Sequence, residues 1–310
     1  MPWECYGNCR LAQNQDLTRS KYKYKYNFYI NSSIKCEVLD MKYETLIYED
    51  LGGGVGKLTL NRPTRANAMN QFMLSELEDA CSKLACDDEL KCLIVTGEGA
   101  TFSSGFDLKD QADNMPIGVG EWTPVLEADF RGIMSFWEFP KVTIAAVNGP
   151  ALAGGFEMML GCDISIASEN AVFGEPELKF GAGIVAMLLP WFVSPKVAKE
   201  IIFTGEDQIS ASRALELGLI NQIVPEDQVM DVSISFARKM ARMDQMVLKR
   251  TKMAVNRTYE IMGMQRALRS SLDIDIMIEG EGSDLKREFL EVIREQGLGG
   301  ALKWRAAKFE

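Results

Sequence analysis

Two glutamates, Glu157 and Glu177, stand in settings that suit acid–base chemistry. Glu157 ends the run Asn148-Gly-Pro-Ala-Leu-Ala-Gly-Gly-Phe-Glu157, in which a glycine pair opens a helix. The free N–H groups at a helix start form an anion site. In acyl chemistry such amides can hold the negative charge that develops on a thioester oxygen. Glu177 closes Phe173-Gly-Glu-Pro-Glu177, where proline fixes the backbone between two acids and points their side chains in different directions. Next to Phe173, Leu178 and Phe180, a buried glutamate would hold its proton to higher pH. A third segment, Ala100-Thr-Phe-Ser-Ser-Gly-Phe-Asp-Leu-Lys109, carries a glycine that lets the backbone turn sharply and approach a ligand. Taken singly, each has a plainer explanation: tight helix–strand packing, a solvated acidic turn, an ordinary loop.

The chain has 310 residues and no histidine. That excludes a Ser-His-Asp triad, a Cys-His pair and a His-ligated metal. Acid–base work near neutral pH then falls to carboxyls of raised pKa, to Lys, Tyr or Cys, or to a cofactor. The seven cysteines are odd in number and scattered, which is no disulfide framework, and Cys5 and Cys9 lack a second ligand pair at zinc-like spacing. Free thiols in a reducing compartment, and no metal, are expected. A net charge of −10 argues against a surface built to neutralise nucleic-acid phosphates, though not against a local basic patch for one phosphorylated cofactor. No apolar run approaches the ~20 residues needed to span a bilayer. A soluble, cytoplasmic protein with no nucleic-acid or membrane partner is the expectation.

The elements that must position these residues show in the periodicity. Tyr43–Glu49 and Val55–Leu60 read as strands joined by Gly52-Gly53-Gly54. Asn70–Leu84 has helical spacing, Cys92–Thr96 and Val142–Val147 suit buried parallel strands, and Asp129–Trp137 reads as a helix. Phe156–Gly161 looks like a helix start and Asp163–Ala167 another strand. After about Glu226 only helices follow: Val229–Ala241, Val247–Met262 and Asp284–Glu295. Alternation of this kind implies a mainly parallel α/β core. The expected organisation is an extension over 1–40, the core over 41–226 and a helical region over 227–310. The extension is richer in Lys and Arg than in acids, carries a Tyr/Lys alternation over 21–26, and is expected to be flexible, with Met41 a candidate start.

Taken in order, Leu60-Asn-Arg-Pro63, Phe102-Ser-Ser-Gly-Phe-Asp-Leu108, Ala145-Ala-Val-Asn-Gly-Pro-Ala151, Gly154-Gly-Phe-Glu157, Cys162-Asp163, Phe173-Gly-Glu-Pro-Glu177 and Thr204-Gly205…Ala211…Ala214…Gly218-Leu219 resemble the crotonase (enoyl-CoA hydratase/isomerase) superfamily, from about Tyr43 to Phe309. The resemblance implies an α/β spiral of ββα repeats with a C-terminal helical trimerisation region, an acyl-CoA substrate, no separate cofactor, and a homotrimer or dimer of trimers. It implies an oxyanion hole from the backbone N–H groups of Phe106 and Gly154. It makes Glu157 and Glu177 the catalytic acids, and places Arg65, Ala66, Asn67, Ser103, Ser104 and Phe106 along the coenzyme A channel. Hydration of a 2-enoyl-CoA is the activity implied. Two alternatives stand beside it: a Δ3-Δ2-enoyl-CoA isomerase using Glu177 alone, and a non-catalytic RNA-binding or scaffold member of the fold.

The pattern departs from the family at three places. Ala153 stands where a third glycine is common, a small change. Glu175 replaces the usual glutamine, and exposure to solvent is expected for it. The aliphatic run Phe180–Pro190 reads as a buried helix in preference to the wall of an acyl pocket. Gln111–Phe130 occupies the region that shapes the acyl site, with Trp122 there for packing.

Overall fold

The fold was obtained as a computed structural model that describes residues Met41–Phe309. Strand β1 (Leu46–Asp50) and strand β2 (Val55–Leu60) pair antiparallel around a turn in which Gly52, Gly53 and Gly54 all take positive φ. A further four strands extend the sheet in parallel: β3 (Cys92–Gly97), β4 (Val142–Val147), β6 (Ile164–Ser168) and β9 (Gln222–Val224), giving the order β1-β2-β3-β4-β6-β9. Every residue of β3 and β4 is buried, as a parallel strand covered on both faces requires. A second, three-stranded sheet joins β5 (Ala151–Leu152), β7 (Val172–Gly174) and β8 (Ile209–Ser210).

Helices cover both faces of the large sheet. On one side lie α1 (Gln71–Cys86), α3 (Gly118–Glu138) and α4 (Gly154–Gly161), which share the main core with Leu58, Leu93, Val95 and Val147. On the other, α8 (Val229–Ala241) packs Val229 and Ala237 against Val55, Ile94, Ile144 and Ile166. The sequence dictates α1 locally: Asn70 caps it, its side chain accepting from Met73 N–H at 3.0 Å, and Met73, Leu77, Ala80 and Leu84 form one buried stripe. The remaining helices are α2 (Leu108–Asp113), α5 (Leu189–Phe192), α6 (Pro195–Thr204), α7 (Ala211–Glu216), α9 (Gln245–Met262), α10 (Met264–Glu281) and α11 (Asp284–Phe309), the last kinked at Gly297 with φ 73°.

Some of the motif residues hold this scaffold together. Asp163, at the end of α4, accepts from Thr143 N–H at 2.8 Å and from Lys252 of α9 at 2.7 Å, which pins the helical region to β4. Arg62 pairs with Asp107 at 2.9 Å, tying the loop after β2 to the start of α2.

The core and the C-terminal helices broadly follow the pattern read from the sequence, which leaves out the small sheet of β5, β7 and β8, strand β9 and the short helices α2, α5, α6 and α7. Helix α3 begins at Gly118, well ahead of Asp129, and carries Pro124 inside it, a residue that has no N–H to give to the helix. Helix α10 fills the stretch between the helices read over Val247–Met262 and Asp284–Glu295. The run Phe180–Pro190 is not a helix. A 3₁₀ turn over Glu177–Phe180 ends at Gly181, which is left-handed at φ 72°, and the chain then stays irregular to α5. Two of its N–H groups are taken by distant carboxylates: Gly183 donates to Glu279 at 3.3 Å and Ala186 to Glu157 at 2.8 Å. Tertiary partners satisfy backbone groups that a helix would otherwise have satisfied. The readings for residues 1–40, including the Tyr/Lys alternation and the Cys5–Cys9 pair, lie outside the described residues.

Candidate active site

Backbone pairing assembles the site from segments far apart in sequence. Strand β5 lies parallel to β7 in the register Ala151↔Phe173 and Leu152↔Gly174, and Ala153 N–H extends the ladder to the Gly174 carbonyl at 2.9 Å. The loop before Glu157 is therefore bonded to the loop before Glu177. A bridge between Ser103 and Ala151 adds the third segment, with Leu152 N–H donating to the Ser103 carbonyl at 3.0 Å.

The two expected oxyanion donors meet at this junction. The bridge between Met69 and Phe106 uses the Gly105 carbonyl and the Asp107 N–H, so the Phe106 N–H between them has no acceptor among the described residues. The Gly154 N–H, first in α4, has none there either. Gly105 brings the loops together. It sits at φ +90°, and a Cβ on it would come within 2.6 Å of the Ala153 Cβ and 3.1 Å of the Gly154 nitrogen, so only glycine fits. Ala153 itself is held at φ 53°, ψ −136°, backbone that a residue with a Cβ seldom adopts. Its replacement of glycine is thus a strained one, whereas the sequence reads it as a small change.

Glu157 and Glu177 are both buried, at 1% and 9% exposure. Glu157 Oε1 accepts from Ala186 N–H, and Oε2 has no partner among the described residues; Glu177 Oε2 has none either. Burial pushes the Glu157 carboxyl well above the usual range, and the charge of Glu177 pushes it further. Burial also lifts Glu177 to about 7, against hydrogen bonds that favour its anion, one of them from Glu175.

Glu175 is not exposed. It is 1% accessible and within hydrogen-bonding reach of Glu177. Burial, with the charges of Glu177 and Glu157, pushes Glu175 well up, and the contact between Glu175 and Glu177 raises the first while lowering the second. The reason lies in the Gly174–Glu206 contact: Glu175 N–H bonds the Glu206 carbonyl at 2.8 Å, which turns its side chain inward.

Glu177 opens onto a cavity of about 430 Å³, whose wall also includes Arg65, Ala66, Ser104 and Phe106. Asn67 and Ser103, the other two residues expected along the channel, are fully buried and brace it from behind. Asn67 Nδ2 donates to the carbonyls of Glu98 (3.0 Å) and Thr101 (2.7 Å), and Ser103 Oγ donates to the Asn67 carbonyl at 2.9 Å. Arg65 lies 3.3 Å from Asp107, whose acidity is kept high, despite burial, by the α2 cap bonds and by Arg62 and Arg65. Glu157 is not part of the cavity wall. Its charge nonetheless interacts with that of Glu177, which puts the two carboxyls in one electrostatic cluster.

The sequence gives little sign of several other residues of the cavity wall. There, Asp129 of α3, Asp275 and Glu279 of α10 and Lys286 of α11 meet Trp122. Burial raises Asp129 to about 8 and Asp275 to about 7. A legible signal existed: Asp275 and Glu279 share a helix face with Leu268, Leu272 and Ile276, which puts acids in an apolar stripe. Trp122 is buried in α3, as a packing residue would be, but it also lines the cavity.

No group of three or more acids and cysteines among the described residues is arranged to hold a metal ion, and Cys81, Cys92 and Cys162 are free thiols. Among those residues no helix is long and apolar enough to cross a membrane.

Comparison with known proteins agrees with this geometry. The family model described as enoyl-CoA hydratase/isomerase matches residues 50–279. A crotonyl-CoA hydratase of Syntrophomonas wolfei is 32% identical over 275 residues, covering 87% of this chain and 99% of its own. A short-chain-enoyl-CoA hydratase of Clostridium acetobutylicum is 34% identical, covering 74% of this chain and 86% of its own. The crystal structure of an enoyl-CoA hydratase/isomerase from Xanthobacter autotrophicus Py2 superposes with a TM-score of 0.85 at 51% identity, over 87% of this chain and all of that one. With the ordered motifs, the paired loops and these likenesses together, the chain belongs to the enoyl-CoA hydratase/isomerase family.

Proposed function

We propose that this protein is an enoyl-CoA hydratase, which adds water across the 2,3 double bond of an acyl-CoA thioester. The observation that carries the reading is the pair of buried glutamates, each with one unpartnered oxygen, beside two backbone amides that have no acceptor among the described residues. The thioester carbonyl accepts from Phe106 N–H and Gly154 N–H, which stabilise the enolate as it forms. Water is held between the carboxyls. Glu157, its anion favoured by the Ala186 N–H, takes a proton from that water as the oxygen bonds to the β-carbon. Glu177 delivers a proton to the α-carbon.

Coenzyme A runs along the wall at Arg65, Ala66, Ser104 and Phe106, with Asn67 and Ser103 fixing that wall, and no other cofactor is needed. The chain works as a homotrimer or a dimer of trimers in the cytoplasm. Support for assembly comes from α9, which has no buried residue and exposes Met246, Met253 and Ile261.

The test is hydration of a short 2-enoyl-CoA, followed by loss of conjugated absorbance. Glu157→Gln and Glu177→Gln should each cut the rate by at least roughly 10² with the fold intact. Isomerisation of a 3-enoyl-CoA that survives Glu157→Gln and fails in Glu177→Gln, without hydration by the wild type, would replace this reading with the isomerase one.

A further inference from the structure

The turn that carries Glu177 is held from outside by the last helix. Residues Glu177–Phe180 form a 3₁₀ turn closed on itself: Lys179 N–H donates to the Pro176 carbonyl at 2.9 Å, and Ala182 N–H to the Glu177 carbonyl at 3.1 Å. So short a bonded turn moves as one body, and whatever grips its far end also aims Glu177. Helix α11 grips it twice. At the helix start, Ser283 Oγ donates to the Gly181 carbonyl at 2.9 Å, and the Phe180 ring lies 4.9 Å from that of Phe289. Near the helix end, the Arg305 guanidinium lies 5.0 Å from the centre of the Phe180 ring and donates to Asp207 at 2.8 Å. Lys179 Nζ, from the turn itself, is 3.8 Å from the other oxygen of Asp207.

Asp207 is a fixed point for this arrangement. It is 5% exposed, and a Cβ on Gly174 would come within 2.4 Å of its Cα, so it is pressed against β7, the strand that leads into Glu177. The C-terminal segment, by contrast, depends on its side chains. Gly297, at φ 73° and ψ 172°, interrupts α11, so the helix ladder does not carry the segment beyond it. Trp304 packs on Phe289 at 6.2 Å and Lys308 pairs with Glu288 at 2.9 Å, contacts that fold the segment back on α11. Arg305 takes it across to Asp207 and Phe180. We propose that Asp207 and Arg305 are positioning residues for Glu177, their ion pair docking the C-terminal segment against the turn and so setting the angle at which the acid meets the substrate. Glu177, Phe180, Asp207 and Arg305 share one cavity wall, so the clamp lies beside the acid it aims. Small displacements suffice, since a misplacement of about 1 Å can cost roughly 10² in rate. The inference rests on Glu177 as the acid, a role that the hydratase and isomerase readings share.

The test separates aim from grip. Turnover of crotonyl-CoA, or of a 3-enoyl-CoA if the wild type isomerises, gives kcat, and calorimetric titration with saturated butyryl-CoA gives binding without reaction. Arg305→Met and Asp207→Ala should each lower kcat about tenfold while the butyryl-CoA dissociation constant stays within about threefold. The double variant should be no slower than the slower single one, because both changes open the same clamp. Arg305→Lys keeps a cation facing Asp207 and should restore kcat to within about threefold of the wild type, which secures a result if Asp207→Ala unfolds. Unchanged kcat in Arg305→Met would overturn the proposal, as would losses that multiply in the double variant. Binding weakened as much as kcat would also overturn it, by making Arg305 a substrate contact. Wild-type turnover in Glu177→Gln would instead remove the acid itself, a separate outcome that ends the reading on which the clamp rests.

Discussion

At the scale of single residues, the chemistry turns on where protons reside among Glu157, Glu175 and Glu177. Three carboxyls buried together cannot all ionise: loss of water pushes each of them up, and the charge of Glu177 pushes Glu157 and Glu175 further. For Glu177 the value is about 7. As a raised acid it keeps its proton below that pH and loses it as pH rises through 7, so hydration should fall on the alkaline side. Glu175 tunes the midpoint. Its hydrogen bond favours the Glu177 anion and so lowers Glu177. Glu175→Leu removes that bond and should move the alkaline limb of kcat/KM to higher pH. Glu175→Gln keeps a donor in place and should leave the limb near that of the wild type. Superimposable profiles for wild type and Glu175→Leu would show that Glu175 does not act on Glu177.

Elements matter because none of these residues acts from its own loop alone. The four paired residues of β5 and β7 fix the loop before Glu157 against the loop before Glu177, and the Ser103–Ala151 bridge adds the Phe106 amide. Helix α4 then points its first N–H groups into the junction. The turn into α4 carries strain at Ala153, held at φ 53°, ψ −136°. Such backbone costs a non-glycine residue of order 1–3 kcal/mol. Ala153→Gly should therefore raise the unfolding free energy by about 1 kcal/mol, less than the full strain because glycine gains more freedom when unfolded. Urea denaturation would check this, and a less stable variant would show that the surroundings favour the Cβ. The irregular run from Gly181 to Leu188 makes the same point differently. It gives up a helix so that Ala186 N–H can hold Glu157 and Gly183 can back onto Asp275.

For the whole molecule, the distribution of apolar surface is uneven. The sheet and the helices α1, α3, α4 and α8 bury their stripes inside the chain, while α9 and α10 leave large side chains outward, among them Ile261 at 81% and Met262 at 66% exposure. Large apolar side chains left outward in such number suit an interaction face. Multi-angle light scattering should give a particle mass that is three or six times the 34.6 kDa chain. Met253→Glu with Ile261→Glu should shift that mass towards the single chain by burying unpaired charge in the contact. A wild-type mass equal to one chain would remove the assembly from the reading.

The sequence alone determined the order of β3, β4 and α1, because burial on both faces and a 3.6-residue stripe are local patterns. It also singled out Glu157, Glu177 and the glycine-bearing loops, since a chain without histidine leaves few candidates for acid–base work. What it could not determine were properties set by residues distant along the chain. Glu175 reads as a surface acid, and only its packing against Glu177 and the Glu206 carbonyl turns it into a buried acid of raised pKa. Asp129 and Asp275 lie 146 positions apart (275 − 129) and become neighbours because α3 and α10 pack together. Periodicity reports which face of an element is buried. Which other face it is buried against, and so which charges lose their water together, is decided by tertiary structure.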